Sequence, residues 1–298
     1  MNADVAIRTR GLTKRFGRTT ALAELDLDIP VGSIFGYLGP NGAGKSTTLR
    51  LLVGLLRPSA GSAQVLGHDV SRAHARIRTR LGYLAGDFRA PAALTGRRYL
   101  DDLAALRGCR GTTATDRLAE RLAIDLDRRI GSLSHGNRQK IGIIQAFQHD
   151  PDVLILDEPT TGLDPIMQRT FLGMLREAAA AGRTVVLSSH VLSEVDAVAD
   201  IVAIVRAGRL VIVDTVDRLE ARTRRNIDLR FDGPPPLAEL RGTPGVVEVS
   251  EMDGTVRVTV EGSTVELVRV LGRHDVVDLV SHEVDLGEIF LEHYQGAS

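Results

Sequence analysis

Residues 33–56 read SIFGYLGPNGAGKSTTLRLLVGLL. Inside this stretch GPNGAGKS, residues 39–46, matches G-x-x-x-x-G-K-[ST] through Gly39, Gly44, Lys45 and Ser46. A strand-length apolar segment precedes the match and a run with helical length and apolar spacing follows it. That strand–loop–helix setting is what the motif requires. Glycines let successive backbone N–H groups turn inward as an anion nest at a helix N-terminus, where the dipole also favours negative charge. Lys45 is then placed to reach β- and γ-phosphates, Ser46 to ligate Mg²⁺, and Asn41, Gly42 and Thr47 to line the same loop. The plain alternative is a glycine-rich turn with a surface lysine, but a chance match in a chain this long is on the order of one per cent. The loop alone does not separate one class of nucleotide hydrolase or kinase from another.

Composition sets the frame around this loop. The 298 residues leave room for one large and one small domain, and 43% hydrophobic with 25% charged content is that of an ordinary globular chain. A formal net charge of -1 and a pI near 6.7 speak against a broad nucleic-acid footprint. The single cysteine, Cys109, forms no intrachain disulfide and reads as a small, partly buried side chain. The N-terminal MNADVAIRTR lacks the apolar run of a signal peptide, and no segment nears the roughly 18 apolar residues that span a bilayer. The expectation is a cytosolic chain whose membrane role comes through a partner. Among 37 lysines and arginines, lysine stands only at positions 14, 45 and 140. A compact ammonium at position 45 suits phosphate better than a planar fork.

Downstream, VLILDE at 153–158 is four apolar residues followed by two carboxylates. It reads as a buried parallel strand delivering acids at its C-terminal edge, where ligands bind in open α/β sheets. Asp157 is placed to hold Mg²⁺ and Glu158 to polarise an attacking water; a helix cap after a core strand is the bland alternative. Just upstream, LSHGNRQK at 133–140 precedes the apolar helical pattern IGIIQAF. Ser134 suits an N-cap, and Ser134 with Gly136 suits a phosphate. Read alone, this segment is equally well a capped helix and nothing more.

In this order and spacing the motifs resemble the nucleotide-binding domains of ABC transporters over about residues 5–220. GPNGAGKST resembles the family's Walker A loop, LSHGN its signature and VLILDE its Walker B strand with the catalytic glutamate, Glu158. By the same resemblance Asp164, in GLD, belongs to the D-loop, His190, in LSSH, is the switch histidine, and Phe16, in TKRFG, stacks on adenine. Standing alone, Phe16 is an ordinary core aromatic and His190 a strand-end histidine. The resemblance implies an α/β P-loop NTPase of the ABC type that uses ATP and Mg²⁺. It implies a head-to-tail pairing with a second nucleotide-binding domain, a homodimer, in which Ser134 and Gly136 act on the partner's ATP. It implies a helical subdomain (about 88–145) docked on a separate membrane-spanning permease, at the cytoplasmic face of the cell membrane. Two positions depart from the pattern. Gly86, in LGYLAGD, stands where the family has glutamine, with Asp87 or a water as the expected substitute and Gly86→Gln expected to raise activity. Asn137 shortens the signature's amide.

The segment after 215–225, itself charged and linker-like, patterns as β-α-β-β-α-β, the order of a ferredoxin-like module spanning 221–298. PPP at 234–236 marks a connection, Asp253-Gly254 a hairpin, and Leu286, Ile289, Phe290 and His293 a closing helix. His274, His282 and His293 are too scattered to suggest a metal site. A dimer-stabilising or regulatory appendage is expected, of the kind found in prokaryotic drug and antibiotic exporters. An importer subunit is the nearer alternative, an ABC-type ATPase acting on nucleic acid the more distant one: this chain shows one copy of each motif and no room for long coiled coils between them.

Overall fold

The computed structural model describes residues 5–72, 77–108, 112–222, 224–252 and 254–282; Cys109, Asp253 and the expected closing helix lie outside them. Contacts divide the chain into two units, Met1–Val213 and Asp214–Ser298.

The first unit is built on two sheets. Strands β1 (Val5–Phe16) and β2 (Thr19–Pro30) form an antiparallel hairpin, and β4 (Ala60–Val65) and β5 (His68–Asp69) extend it in the order β2-β1-β4-β5. The six-stranded sheet runs β10 (Arg209–Thr215), β9 (Ile201–Arg206), β3 (Ile34–Leu38), β8 (Thr184–Ser189), β7 (Val153–Asp157) and β6 (Leu81–Leu84). Every residue of β3, β7 and β8 is buried, as expected for parallel strands covered on both faces. Helix α1 (Lys45–Leu52) closes Leu49, Leu51 and Leu52 onto Ile7, Leu25, Phe35, Tyr37 and Ile155 in one core. Parallel register sets Leu38 beside Ser189 and Asp157 beside Ser188. The loops leaving β3, β7 and β8 therefore emerge together at the C-terminal edge of the sheet.

Between β6 and β7 the chain is helical, with α2 (Gly96–Leu106), α3 (Thr112–Arg121), a 3-10 turn at 130–132 and α4 (His135–Phe147). Thr95 caps α2 by accepting from the Arg98 N–H. Buried Leu100, Leu122, Leu126, Ile130 and Ile141 supply apolar packing in this region. Helix α5 (Pro165–Ala180) leads from β7 towards β8, and the short α6 (Leu192–Asp196) from β8 towards β9. No helix among the described residues is long and apolar enough to cross a membrane.

The first helix of the second unit is α7 (Val216–Arg222), where the charged sequence suggests a linker; buried Val216 and Leu219, three apart, give that segment an apolar helical face. There follow β11 (Arg224–Phe231), α8 (Leu237–Arg241), β12 (Val246–Met252), β13 (Thr255–Glu261), α9 (Val265–Leu271) and β14 (Val276–Ser281). The strands lie in the order β12-β13-β11-β14 and every adjacent pair is antiparallel. Met252 pairs with Thr255, leaving a two-residue connection in which Gly254 has φ +77°, a conformation glycine adopts freely. One face buries Ile227, Leu229, Val256, Val258, Leu240, Leu267 and Leu271. The other carries polar pairs in register, Asp228 opposite Arg257, Asn226 opposite Thr259 and Arg230 opposite Asp278. His274 lies 2.8 Å from Glu239 and His282 2.9 Å from Asp228.

Candidate functional site

The loop between β3 and α1 encloses, with Ala21 of β2 and Glu158, a cleft of about 160 Å³ lined by Pro40, Asn41, Gly42, Gly44, Lys45, Ser46 and Thr47. Its glycines are required for different reasons. Gly44 has φ +102°, and a Cβ there would lie 2.4 Å from the Ala21 carbonyl oxygen. A Cβ on Gly39 would lie 2.4 Å from the Val205 carbonyl oxygen. Lys45 is buried, and its ammonium donates to the Gly39 carbonyl at 2.6 Å while lying 3.5 Å from Glu158 Oε1.

The acids stand opposite. Asp157 is 1% exposed; its Oδ1 accepts from Ser46 Oγ at 3.1 Å and Ser188 Oγ at 2.7 Å. Its Oδ2 is buried with no protein partner. An unpaired buried carboxylate oxygen beside a serine hydroxyl is a costly arrangement for the protein alone and a fitting one for a hard, oxygen-seeking divalent cation. Glu158 adopts φ +47°, the left-handed region, which costs a side-chain-bearing residue about 1–3 kcal/mol. Its N–H donates to Ser188 O and Ser188 Oγ, fixing that backbone. The carboxylate is gripped from two sides, by Lys45 at Oε1 and by His190, whose Nδ1 lies 2.6 Å from Oε2.

The other expected residues fall into two groups. Ser134 caps α4, accepting from the Asn137 N–H at 3.3 Å, and Asp164 caps α5, accepting from the Ile166 and Met167 N–H groups at 3.0 and 2.9 Å. Gly136 meets the D-loop so closely that a Cβ would lie 2.3 Å from the Gly162 carbonyl oxygen. Among the described residues, neither Ser134 nor Gly136 lines the cleft around Lys45. Phe16 also stands outside that lining; its ring is half exposed, with the Lys14 ammonium 5.0 Å from its centroid.

At Gly86 the geometry differs from expectation. Asp87, the expected substitute for the glutamine, is paired with Arg50 of α1 at 3.1 Å. Gly86 itself packs against the acid, since a Cβ there would lie 3.2 Å from Asp157 Oδ2. Tyr83, three residues earlier, has its phenol pushed up by burial and by the Asp157 carboxylate. Several residues of the site escape the sequence reading: Ser188, Gln139, which is buried and donates to Pro159 O at 3.0 Å, and Thr160 and Glu194, joined at 2.7 Å. Larger grooves open beside Arg209 and beside Arg121, where Arg209 pairs with Glu24 and Arg121 with Glu177.

A glycine-shaped anion loop at the C-terminal edge of a parallel sheet, facing an aspartate and a glutamate at the end of the neighbouring strand β7, defines a P-loop nucleotide hydrolase. Residues 22–161 match the ABC transporter family model. The daunorubicin/doxorubicin resistance ATP-binding protein DrrA of Streptomyces peucetius is 38% identical over 227 residues, 74% of this chain and 69% of that protein. The fluoroquinolones export ATP-binding protein of Mycobacterium tuberculosis strain H37Rv is 35% identical over 297 residues, 96% of this chain and 92% of that one. A dimeric bacterial ABC transporter cassette shares the fold at TM-score 0.66 and 20% identity, covering 70% of this chain and 98% of its own. The chain belongs to the ATP-binding proteins of the ABC transporter family, and it is an ATPase.

Proposed function

We propose that this chain hydrolyses ATP in a head-to-tail dimer and thereby drives export through a separate membrane-spanning permease, which holds it at the cytoplasmic face of the membrane. The observation that carries the reading is the clamped Glu158, set at the strand edge between Lys45 and His190 beside an anion loop. Export is favoured by relatives named for drug resistance and fluoroquinolone export. A head-to-tail dimer is favoured because Ser134 and Gly136 lie outside the cleft's lining, so a partner's signature is free to close over it.

Ser46 Oγ and Asp157 Oδ2 are the groups that would hold Mg²⁺, which when bound neutralises charge on the phosphates. The anion loop holds the phosphates through its N–H groups, and Lys45 exchanges the Gly39 carbonyl and Glu158 for the β- and γ-oxygens. That exchange frees Glu158 Oε1 to accept the proton of the attacking water, while His190 Nδ1 keeps Oε2 in place. Phe16 offers its half-exposed face to the adenine. Asp164 and its D-loop then lie between the two sites, and the helices of the 88–145 region meet the permease.

The test is ATP turnover with Mg²⁺ against protein concentration, for the native chain and for Glu158→Gln. Turnover per subunit should rise with concentration, and the variant should bind ATP, dimerise and not turn over. Full activity in Glu158→Gln, or activity independent of concentration, would overturn the reading.

A further inference from the structure

A second carboxylate lies behind the one that faces the cleft. Glu194, in the first turn of α6, is 9% exposed. Its Oε2 accepts two hydroxyl protons, from Thr160 Oγ1 at 2.7 Å and from Ser189 Oγ at 3.0 Å. Ser189 Oγ in turn accepts the Val191 N–H at 2.9 Å. Ser189 and Val191 bracket His190. Thr160 opens the turn towards Asp164, its carbonyl accepting the Leu163 N–H at 3.0 Å. One carboxylate oxygen thus joins the segment that carries the histidine to the segment that carries the D-loop.

Burial makes this junction costly to break. A buried carboxylate is tolerated when its oxygens are hydrogen-bonded, and removing it would leave two hydroxyls, 5% and 2% exposed, without an acceptor. Nothing in the sheet itself links these two segments. The parallel ladder between β7 and β8 ends at Asp157 and Ser188, one residue short of Glu158 and two short of His190. Beyond the ladder one backbone bond, from the Glu158 N–H to Ser188 O, is joined by side chains: Ser188 Oγ holds Asp157 and the Glu158 N–H, and Glu194 holds Thr160 on one loop and Ser189 on the other.

We infer that Glu194 is a positioning residue for hydrolysis: it fixes His190 relative to the D-loop, so that the grip of His190 on Glu158 and the placement of Asp164 move together. The inference rests on the roles proposed above for Glu158 and His190. It assigns Glu194 no contact with nucleotide, so its loss should act on the chemical step and not on ATP affinity.

Steady-state turnover and ATP binding of the purified chain test this. A displacement of about 1 Å at a reacting group costs about a hundredfold in rate, so Glu194→Ala should lower kcat by at least about tenfold while KM for ATP stays within about threefold. Glu194→Gln retains an oxygen that accepts both hydroxyls and should recover most of the loss. In the His190→Ala background, Glu194→Ala should lower the residual turnover by less than it lowers that of the native chain. If Glu194→Ala does not fold, Ser189→Ala and Thr160→Val sever the two bonds singly, and each should lower kcat without moving KM. Native kcat in these variants, a loss that appears in KM, or full additivity with His190→Ala would overturn the inference. Its failure is distinguishable from failure of the underlying reading: Glu158→Gln and His190→Ala would then still lower turnover sharply, whereas unimpaired activity in those two variants would sink both.

Discussion

Asp157 and Asp228 are both strand aspartates, and the two units of the chain treat them in opposite ways. Asp157 ends a strand buried on both faces, commits one oxygen to Ser46 and Ser188, and leaves the other buried without a partner. Asp228 sits within β11 on the polar face of its sheet and gives its two oxygens to Arg257 at 2.7 and 2.8 Å, with His282 2.9 Å from one of them. Hydrogen bonds from the Arg257 guanidinium, and after it from His282, hold the Asp228 carboxyl well below the usual carboxylate range. Charge pairs set directly across strands complete the second sheet with its own residues. The strand edge of the first unit is left incomplete. On the function proposed above, the aspartate with an unpartnered oxygen, not the one with the stronger network, marks the place for a ligand.

That contrast is broken most severely at the edge of β7. Glu158→Gln should lower turnover by about 10²- to 10⁴-fold, the range for loss of a general base, and leave ATP binding measurable by equilibrium dialysis. Asp228→Asn should leave kcat unchanged. Next in size, Asp157→Asn removes the charge behind the unpartnered oxygen. The divalent-ion concentration needed for half-maximal ATP binding should rise about tenfold, equivalent to about 1.4 kcal/mol. An unaltered requirement would show that Asp157 Oδ2 does not face the cation. A smaller loss of turnover, severalfold, is expected for Gly86→Gln. The new Cβ would press on Asp157 Oδ2 from 3.2 Å, reversing the gain expected from the sequence alone. A gain in kcat would show instead that the loop yields and that a side-chain amide is what the site lacks.

These outcomes also separate what a reader of the sequence sees from what only the folded chain shows. The strands β3 and β7 are legible because a parallel strand buried on both faces leaves an unbroken apolar run, and the glycine–lysine loop because its chemistry is local. Ser134 is legible as a cap for the same reason: its acceptor and the N–H it receives are three residues apart. The supports of the site are not local. Ser188 reaches Asp157 across 31 residues, Gln139 reaches Pro159 across 20, and Thr160 reaches Glu194 across 34. No periodicity encodes such pairs, since they arise from which strands become neighbours. Asp87 is the nearest acid to Gly86 in sequence, yet Arg50 from α1 claims it. In the second unit, charge hides a helix: the segment 216–222 looks like a linker until Val216 and Leu219 are found buried.

The smallest effect belongs to the completed sheet, and its dependence on pH is what identifies it. Because the folded-state pKa of Asp228 is lowered, its contribution to stability is fully present above the unfolded value, near 3.9, and is lost as pH falls through the folded value. The Asp228–Arg257 pair stands on the polar face of the sheet with Arg257 half exposed, so the contribution is on the order of 1 kcal/mol or less. Asp228→Asn should therefore lower the melting temperature by only a few degrees at pH 7, about what 1 kcal/mol produces in a domain of this size. The gap between variant and native chain should narrow as the pH is taken below 4, where the unfolded chain's carboxyl takes up a proton while the folded one stays charged, so that folding loses this contribution. Added salt should narrow it too, because partly exposed charges are screened. A gap that persists unchanged in acid and in salt would assign the role of Asp228 to the shape of its hydrogen bonds and not to its charge. The contrast with Asp157 would then rest on its unpartnered oxygen alone.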